Sequence, residues 1–230
     1  MSNKVSKKKT DQLDEVVGDV IENAENFFQK YKNILIYSLV GIMVIVVGYF
    51  GYTEFVSKPK QQEAYEQMFR AEQYFAVDSF NIALNGDGNT LGFNDIINNY
   101  GSTAAGNLAR FYAGVCHYHL GDYSNAIAQL NKFSSDDEVV GARALCVIGD
   151  AYAEIGELDN AVKYFIKAAN HKNNSYSATY LMKVGRVYEA QGKYNDALKA
   201  YDRVKKEYPN TTEAREVDKY IERAGLLAGK

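Results

Sequence analysis

Residues 113–130 read AGVCHYHLGDYSNAIAQL, residues 148–165 read IGDAYAEIGELDNAVKYF, and residues 184–201 read VGRVYEAQGKYNDALKAY. These are one pattern written three times. Gly114, Gly149 and Gly185 correspond; so do Gly121, Gly156 and Gly192, and so do Ala126, Ala161 and Ala197. Each column steps by 35 and then 36 residues (114 to 149 to 185), the mark of a stacked repeat architecture. The first Gly lets the two helices of a unit approach closely. The second, followed by Asp122-Tyr123, Glu157-Leu158 or Lys193-Tyr194, ends the first helix in the left-handed cap that favours glycine. The Ala sits where a larger side chain would push the helices apart, and Leu130, Phe165 and Tyr201 fill the space between units. Pro209 closes the third unit. Asn210-Thr211-Thr212-Glu213 reads as a capping box opening a last helix, about 211–226, that covers the end of the stack.

This pattern resembles the tetratricopeptide repeat family over about residues 105–209. Arg110, Leu145 and Leu181 stand where that family often has Trp, and only the third unit keeps its terminal Pro. The resemblance implies an all-α solenoid whose concave face is lined by the first helix of each pair. Carrying the family's groove positions over gives Leu108, Phe111, Val115, Tyr118 and His119 in the first unit. The second contributes Arg143, Cys146, Asp150 and Glu154, and the third Thr179, Met182, Arg186 and Glu189. An apolar, aromatic end and a mixed-charge remainder suit an extended peptide or helix with an apolar anchor and polar flanks. The alternative is that Phe111 and Val115 pack under the segment preceding the repeats, which would partly fill the groove.

Upstream, residues 34–53 read ILIYSLVGIMVIVVGYFGYT without a charge. As a helix these 20 residues span roughly 30 Å, the thickness of a bilayer core. A cleaved signal peptide has a shorter apolar core and small residues at its exit; here the exit is Tyr49-Phe50-Gly51-Tyr52, so a retained signal anchor is expected. Lys4, Lys7, Lys8, Lys9, Lys30 and Lys32 precede it and only Lys58 and Lys60 follow closely, which places the N-terminus in the cytoplasm and the rest, in a bacterial chain, in the periplasm. Ser38, Gly41, Gly48 and Gly51 share one broad stripe, where a neighbouring membrane helix can approach closely.

Residues 11–32 carry Leu13, Val16, Val17, Val20, Ile21, Ala24, Phe27, Phe28 and Tyr31 on one helical face and Asp11, Asp14, Glu15, Asp19, Glu22 and Glu25 opposite. Surface-lying membrane helices usually have a basic polar face, so this acidic arm favours docking on a basic protein surface, with Val17, Val20, Ile21, Phe27 and Phe28 as its contact residues. The alternative is a short interfacial helix held beside the span by Phe27, Phe28 and Tyr31.

The domains read as a cytoplasmic arm (1–32), a transmembrane signal anchor (33–53), a helical connector (54–104), three repeats (105–209) and a capping helix (210–230). Within the connector, 61–84 reads as one helix, followed by a turn at Asn85-Gly86-Asp87-Gly88-Asn89 and a shorter helix about 91–100. The turn lacks the Gly and Glu that a calcium loop needs at its sixth and twelfth positions, where Thr90 and Ile96 stand. With 26 Lys+Arg against 29 Asp+Glu the chain has no basic excess, which argues against nucleic acid as a partner. It has 3 His and 2 Cys and no phosphate-cradling GxxxxGK[ST] loop. His117 and His119 point to opposite sides of a helix. No catalytic constellation, cofactor, metal or small-molecule substrate is therefore expected.

The order of acidic amphipathic arm, single N-in anchor and periplasmic repeats is similar to the ancillary SecYEG translocon subunit family of YfgM type. The local resemblance lies in the cytoplasmic helix with Phe27-Phe28, the span ending Gly48-Tyr49 and the helix that follows. It implies a bacterial inner-membrane protein whose partners are SecYEG, a PpiD-type membrane-anchored chaperone and the surrounding lipid, with a role in helping newly translocated proteins and no catalysis. The rival readings are a scaffold for another envelope assembly or secretion complex, and a membrane-bound enzyme with an unrecognised site.

Overall fold

The computed structural model describes residues 27, 29–172 and 175–229. Val17, Val20, Ile21 and Phe28 of the amphipathic arm lie outside them. The chain divides into two compact units, one ending at Lys58 and one beginning at Pro59.

In the first unit residues 29–52 form helix α1, followed by a π-helical turn at Thr53–Ser57. This helix is long and apolar enough to cross a membrane. Its apolar side chains face outward, Tyr37 by 75 % and Ile45 by 72 %, a surface suited to lipid. The polar groups inside it are satisfied locally: the Ser38 hydroxyl donates to the Leu35 carbonyl (2.8 Å) and that of Thr53 to Phe50 (2.9 Å). Aromatic rings cluster toward the two ends, Phe27 on Tyr31 (4.7 Å) and Tyr49 on Phe50 (6.0 Å). A Cβ added at Gly41, Gly48 or Gly51 would meet nothing within 4 Å, so the small-residue stripe is open.

In the second unit the described residues form helices α2 (Lys58–Ala76), α3 (Phe80–Asn85), α4 (Phe93–Tyr100), α5 (Ala104–His119), α6 (Tyr123–Lys132), α7 (Val140–Glu154), α8 (Leu158–Ala169), α9 (Ser177–Ala190), α10 (Tyr194–Glu207) and α11 (Thr212–Leu227), with no strand among them. The repeat units are the antiparallel pairs α5–α6, α7–α8 and α9–α10. Each first helix ends at its second-column glycine, with φ of 78° at Gly121, 80° at Gly156 and 70° at Gly192. The next amide closes the turn on a carbonyl five residues back: Asp122 on His117 (2.9 Å), Glu157 on Tyr152 (2.9 Å) and Lys193 on Tyr188 (2.8 Å). The first-column glycines are needed for clearance. A Cβ on Gly149 would sit 2.7 Å from a ring carbon of Phe165, one on Gly114 would overlap Leu130, and one on Gly185 would overlap the Tyr201 ring. Those large side chains are buried to within 2 % of fully, and Ala126, Ala161 and Ala197 completely.

The single helix expected over 61–84 is two helices. Asp78 takes a left-handed backbone (φ 58°), and the Ser79 amide bonds the Tyr74 carbonyl at 2.9 Å. The repeats' own stop geometry thus operates here on an aspartate, one of the few non-glycine residues that tolerate it. The following turn is organised by Asp87, whose carboxylate accepts from the Tyr74 hydroxyl (2.8 Å) and the Asn89 and Thr90 amides (2.9 and 2.7 Å). These donors, the Tyr74 hydroxyl first, hold its carboxyl far below the usual carboxylate range.

Residues 59–100 pack on the first repeat unit. Met68, Ala71, Ala83, Leu84, Phe93 and Ile96 form one core with Ala109, Ala113 and Cys116 of α5. Phe93 is fully buried and stacks on Tyr112 (5.0 Å between centroids, 9° between planes), and Phe75 meets both rings edge-on. Polar clasps run alongside, from the Tyr100 hydroxyl to Glu63 (2.9 Å) and the Ala104 amide to Gln61 (2.7 Å).

At the other end α11 packs on α10 and α9. Its N-cap is Thr211, whose hydroxyl oxygen accepts from the Ala214 amide (3.2 Å). The expected capping box is not completed, because Glu213 stands one position too early and instead accepts from the Thr179 hydroxyl at 2.6 Å.

Candidate functional site

The first helices α5, α7 and α9 carry the groove positions read from the sequence, and the fold treats them unequally. Val115 (7 % exposed) packs against Ala144, Val147 and Ile148 of the next unit. Met182 (5 %) and Cys146 (0 %) belong to the core beneath. These three are corrections to the expected groove: each is an apolar side chain on the flank where one first helix meets its neighbour, and burial there outweighs lining an open surface. At the N-terminal end, Leu108 packs on the α2–α4 core and the His119 ring stacks on Phe80 (4.3 Å, 4° between planes). At the C-terminal end α11 engages the third unit. Thr179 bonds Glu213, Arg186 donates to the Tyr220 hydroxyl (3.1 Å), and Glu189 pairs with Arg223.

Between these two ends lie Phe111, Tyr118 and Asp150, all half-buried, with Arg143 and Glu154 exposed; His119 and Arg186 are exposed as well but already partnered. Phe111 leans on Phe133 (5.4 Å). Asp150 is held by Lys183 (2.5 Å) and also accepts from the Cys146 thiol (3.6 Å), while the Lys183 ammonium lies over the Phe165 ring at 5.3 Å. Burial raises the Tyr118 hydroxyl pKa, and the nearby Asp150 and Glu154 raise it further.

Beside these residues, between the N-terminal halves of α7 and α9, lies a cleft of about 310 Å³ lined by Val139, Arg143, Tyr176, Thr179, Tyr180 and Lys183. Two of these, Arg143 and Thr179, are sequence-derived groove positions. The other four were missed because they fall outside the carried columns, although the paired aromatics Tyr176 and Tyr180 at the start of the third unit were a usable signal. Burial pushes the Tyr180 hydroxyl up to about 12. Burial likewise pushes the Cys116 and Cys146 thiols up to about 12, so both remain protonated at neutral pH and neither is an activated nucleophile. Among the described residues no group of three or more His, Cys, Asp or Glu is placed to hold a metal. The site offers shape, aromatic surface and charge, which serve recognition.

The sequence profile of the tetratricopeptide repeat-like domain family matches residues 25–221. The chain belongs to that family. Solved structures resemble it in fold. The apo form of RapI aligns with a TM-score of 0.59 at 16% identity, covering 79% of this chain and 52% of that one. A kinesin light chain-type protein of Podosopora anserina with nearly identical TPR-like repeats gives 0.56 at 12% identity, covering 74% and 88%. MamA gives 0.53 at 19%, covering 73% and 92%. No curated protein matches the chain in sequence. The tetratricopeptide fold is a protein-interaction scaffold, generally non-enzymatic, and the open middle of the groove has the character such a scaffold needs.

Proposed function

We propose that this chain is a single-pass, membrane-anchored tetratricopeptide adaptor of the bacterial inner membrane, with its N-terminus cytoplasmic and its repeats periplasmic. In this reading it is an ancillary subunit of the Sec translocon, linking SecYEG to a PpiD-type chaperone for newly translocated proteins. The observation that carries it is the reach of the family match, which begins at residue 25 and takes in the apolar helix together with the repeats, so a single family profile spans both anchor and scaffold. The lysine excess before α1 supports the orientation. The open Ser38, Gly41, Gly48 and Gly51 stripe supports packing against a channel helix, and the acidic arm with Val17, Val20, Ile21, Phe27 and Phe28 supports docking on a basic cytoplasmic surface. The domain division follows the sequence reading, with residues 59–104 joined to the repeat domain.

In-cell photo-crosslinking from positions 28, 48 and 111, with mass-spectrometric identification of the partners, tests this directly. Crosslinks to Sec channel subunits from the first two, and to a chaperone or emerging chain from Phe111, are expected. Reproducible crosslinks to a different envelope complex would remove the translocon assignment and leave an anchored scaffold.

A further inference from the structure

We infer that the cleft between α7 and α9 receives a partner segment in which a large apolar side chain stands next to a carboxylate. This rests on reading the groove as a protein-binding surface. The cleft holds about 310 Å³, enough for one large side chain with its flanking backbone, and Val139, Tyr176 and Tyr180 give it apolar walls. None of its six lining residues is acidic, whereas two, Arg143 and Lys183, are basic.

The two cations are not equivalent. Lys183 is neutralised by Asp150 and sits over Phe165. The third basic residue of the groove, Arg186, is occupied by Tyr220, donating to its hydroxyl with the guanidinium over its ring. Arg143 stands exposed at the rim, and among the described residues its guanidinium makes no ion pair or hydrogen bond, its charge being felt instead by the buried Tyr180 and Cys146. A planar donor fork beside an apolar recess is complementary to a carboxylate adjoining an apolar side chain. With Asp150 already engaged by Lys183, a cationic partner residue would face Arg143 with no carboxylate in the lining to offset it, so the preference is directional.

The test uses the full chain in detergent and three fluorescein-labelled ten-residue Gly/Ser peptides whose central pair is Phe-Glu, Phe-Gln or Phe-Lys, read by fluorescence anisotropy. The Phe-Glu peptide is expected to bind about tenfold more tightly than Phe-Gln, the size of one charge-assisted hydrogen bond, and Phe-Lys more weakly still. Arg143→Glu is expected to invert the order of Phe-Glu and Phe-Lys, while Arg143→Lys keeps it with a smaller margin. Arg143 is exposed, so both variants retain the fold, checked by helical circular dichroism. Equal binding of the three peptides, an order unchanged by Arg143→Glu, or no binding of any peptide up to about 1 mM would each overturn the assignment. Sec crosslinks from positions 28 and 48 that persist alongside such a failure would leave the adaptor reading standing; their absence alongside successful peptide binding would remove the partner and keep the cleft.

Discussion

The two ends of the repeat stack are closed by different chemistry. At the N-terminal end α2–α4 lay down aromatic surface: Phe75, Phe80 and Phe93 converge on Tyr112 and His119, and Phe93 is wholly buried. At the C-terminal end α11 closes the stack with charge as well as packing. Arg186, Lys219 and Arg223 all lie within 5.4 Å of the Tyr220 ring, and Glu189 pairs with Arg223. Both ends engage groove positions of the unit beneath them, and the cleft lies between those two closures. The first closure rests mainly on dispersion and apolar burial, which concentrate there. The second adds to its buried Val217 and Ala224 a set of charged contacts that solvent screens.

The sharpest way to break this contrast is to truncate one aromatic at each end. Phe93→Ala empties a site with no exposure and is expected to cost about 3–5 kcal/mol, whereas Tyr220→Ala removes a half-buried ring and is expected to cost about 1–2 kcal/mol, both read from urea denaturation. Equal losses would show that the ends are alike. Inside the stack, Gly185→Ala drives a methyl into the Tyr201 ring and is expected to destabilise by about 1–3 kcal/mol despite the better helix propensity of Ala. Gly41→Ala in the anchor meets nothing and should leave the fold unchanged. A double-mutant cycle on Glu189 and Arg223 is expected to return a coupling of about 1 kcal/mol or less, shrinking with salt, because Arg223 is half exposed.

The smallest effect is on acid stability. Asp122 is held below its ordinary value first by the Asn125 side chain, Asp137 by the Val140 and Val139 amides, Asp159 by Lys193, and Glu207 by Arg203. Since the folded values lie lower than the unfolded ones, these groups stabilise the fold above about pH 4 and lose that contribution as pH falls through the folded values. Melting temperature should therefore be flat from pH 7 to about pH 5 and decline below it; a rise on acidification would contradict these assignments.

The middle of the molecule was legible because its determinants are local and recur. A glycine facing a Leu, Phe or Tyr sixteen residues later (114 and 130, 149 and 165, 185 and 201) announces a close helix pair each time. The ends were less legible because they reach the same geometry by other residues. Asp78 stops α2 where glycine stops α5, α7 and α9, and no composition cue distinguishes it from an aspartate inside a helix. The groove was only partly legible. Family positions say which way a residue leans on its helix, but whether Val115 or Met182 is swallowed by the neighbouring helix depends on the sizes of residues one unit away. The Arg143 cleft is harder still, as its walls come from two units and from positions outside the recurring columns.

One feature of α11 bears on how such a stack could be lengthened. Its contacts to α9 keep a spacing of 34 residues, Thr179 to Glu213, Arg186 to Tyr220 and Glu189 to Arg223, so α11 stands where the first helix of a fourth unit would. On that register the counterpart of Gly185 is Lys219, exposed and flanked on the same face by Arg215, Asp218 and Glu222. A second helix could not seat on that face, because a lysine and three further charges occupy the clearance a glycine provides elsewhere. A protein engineer adding binding length would therefore splice a new helix pair between Pro209 and Thr211, where each face still has a mate, and would carry α11 outward unchanged as a reusable terminator.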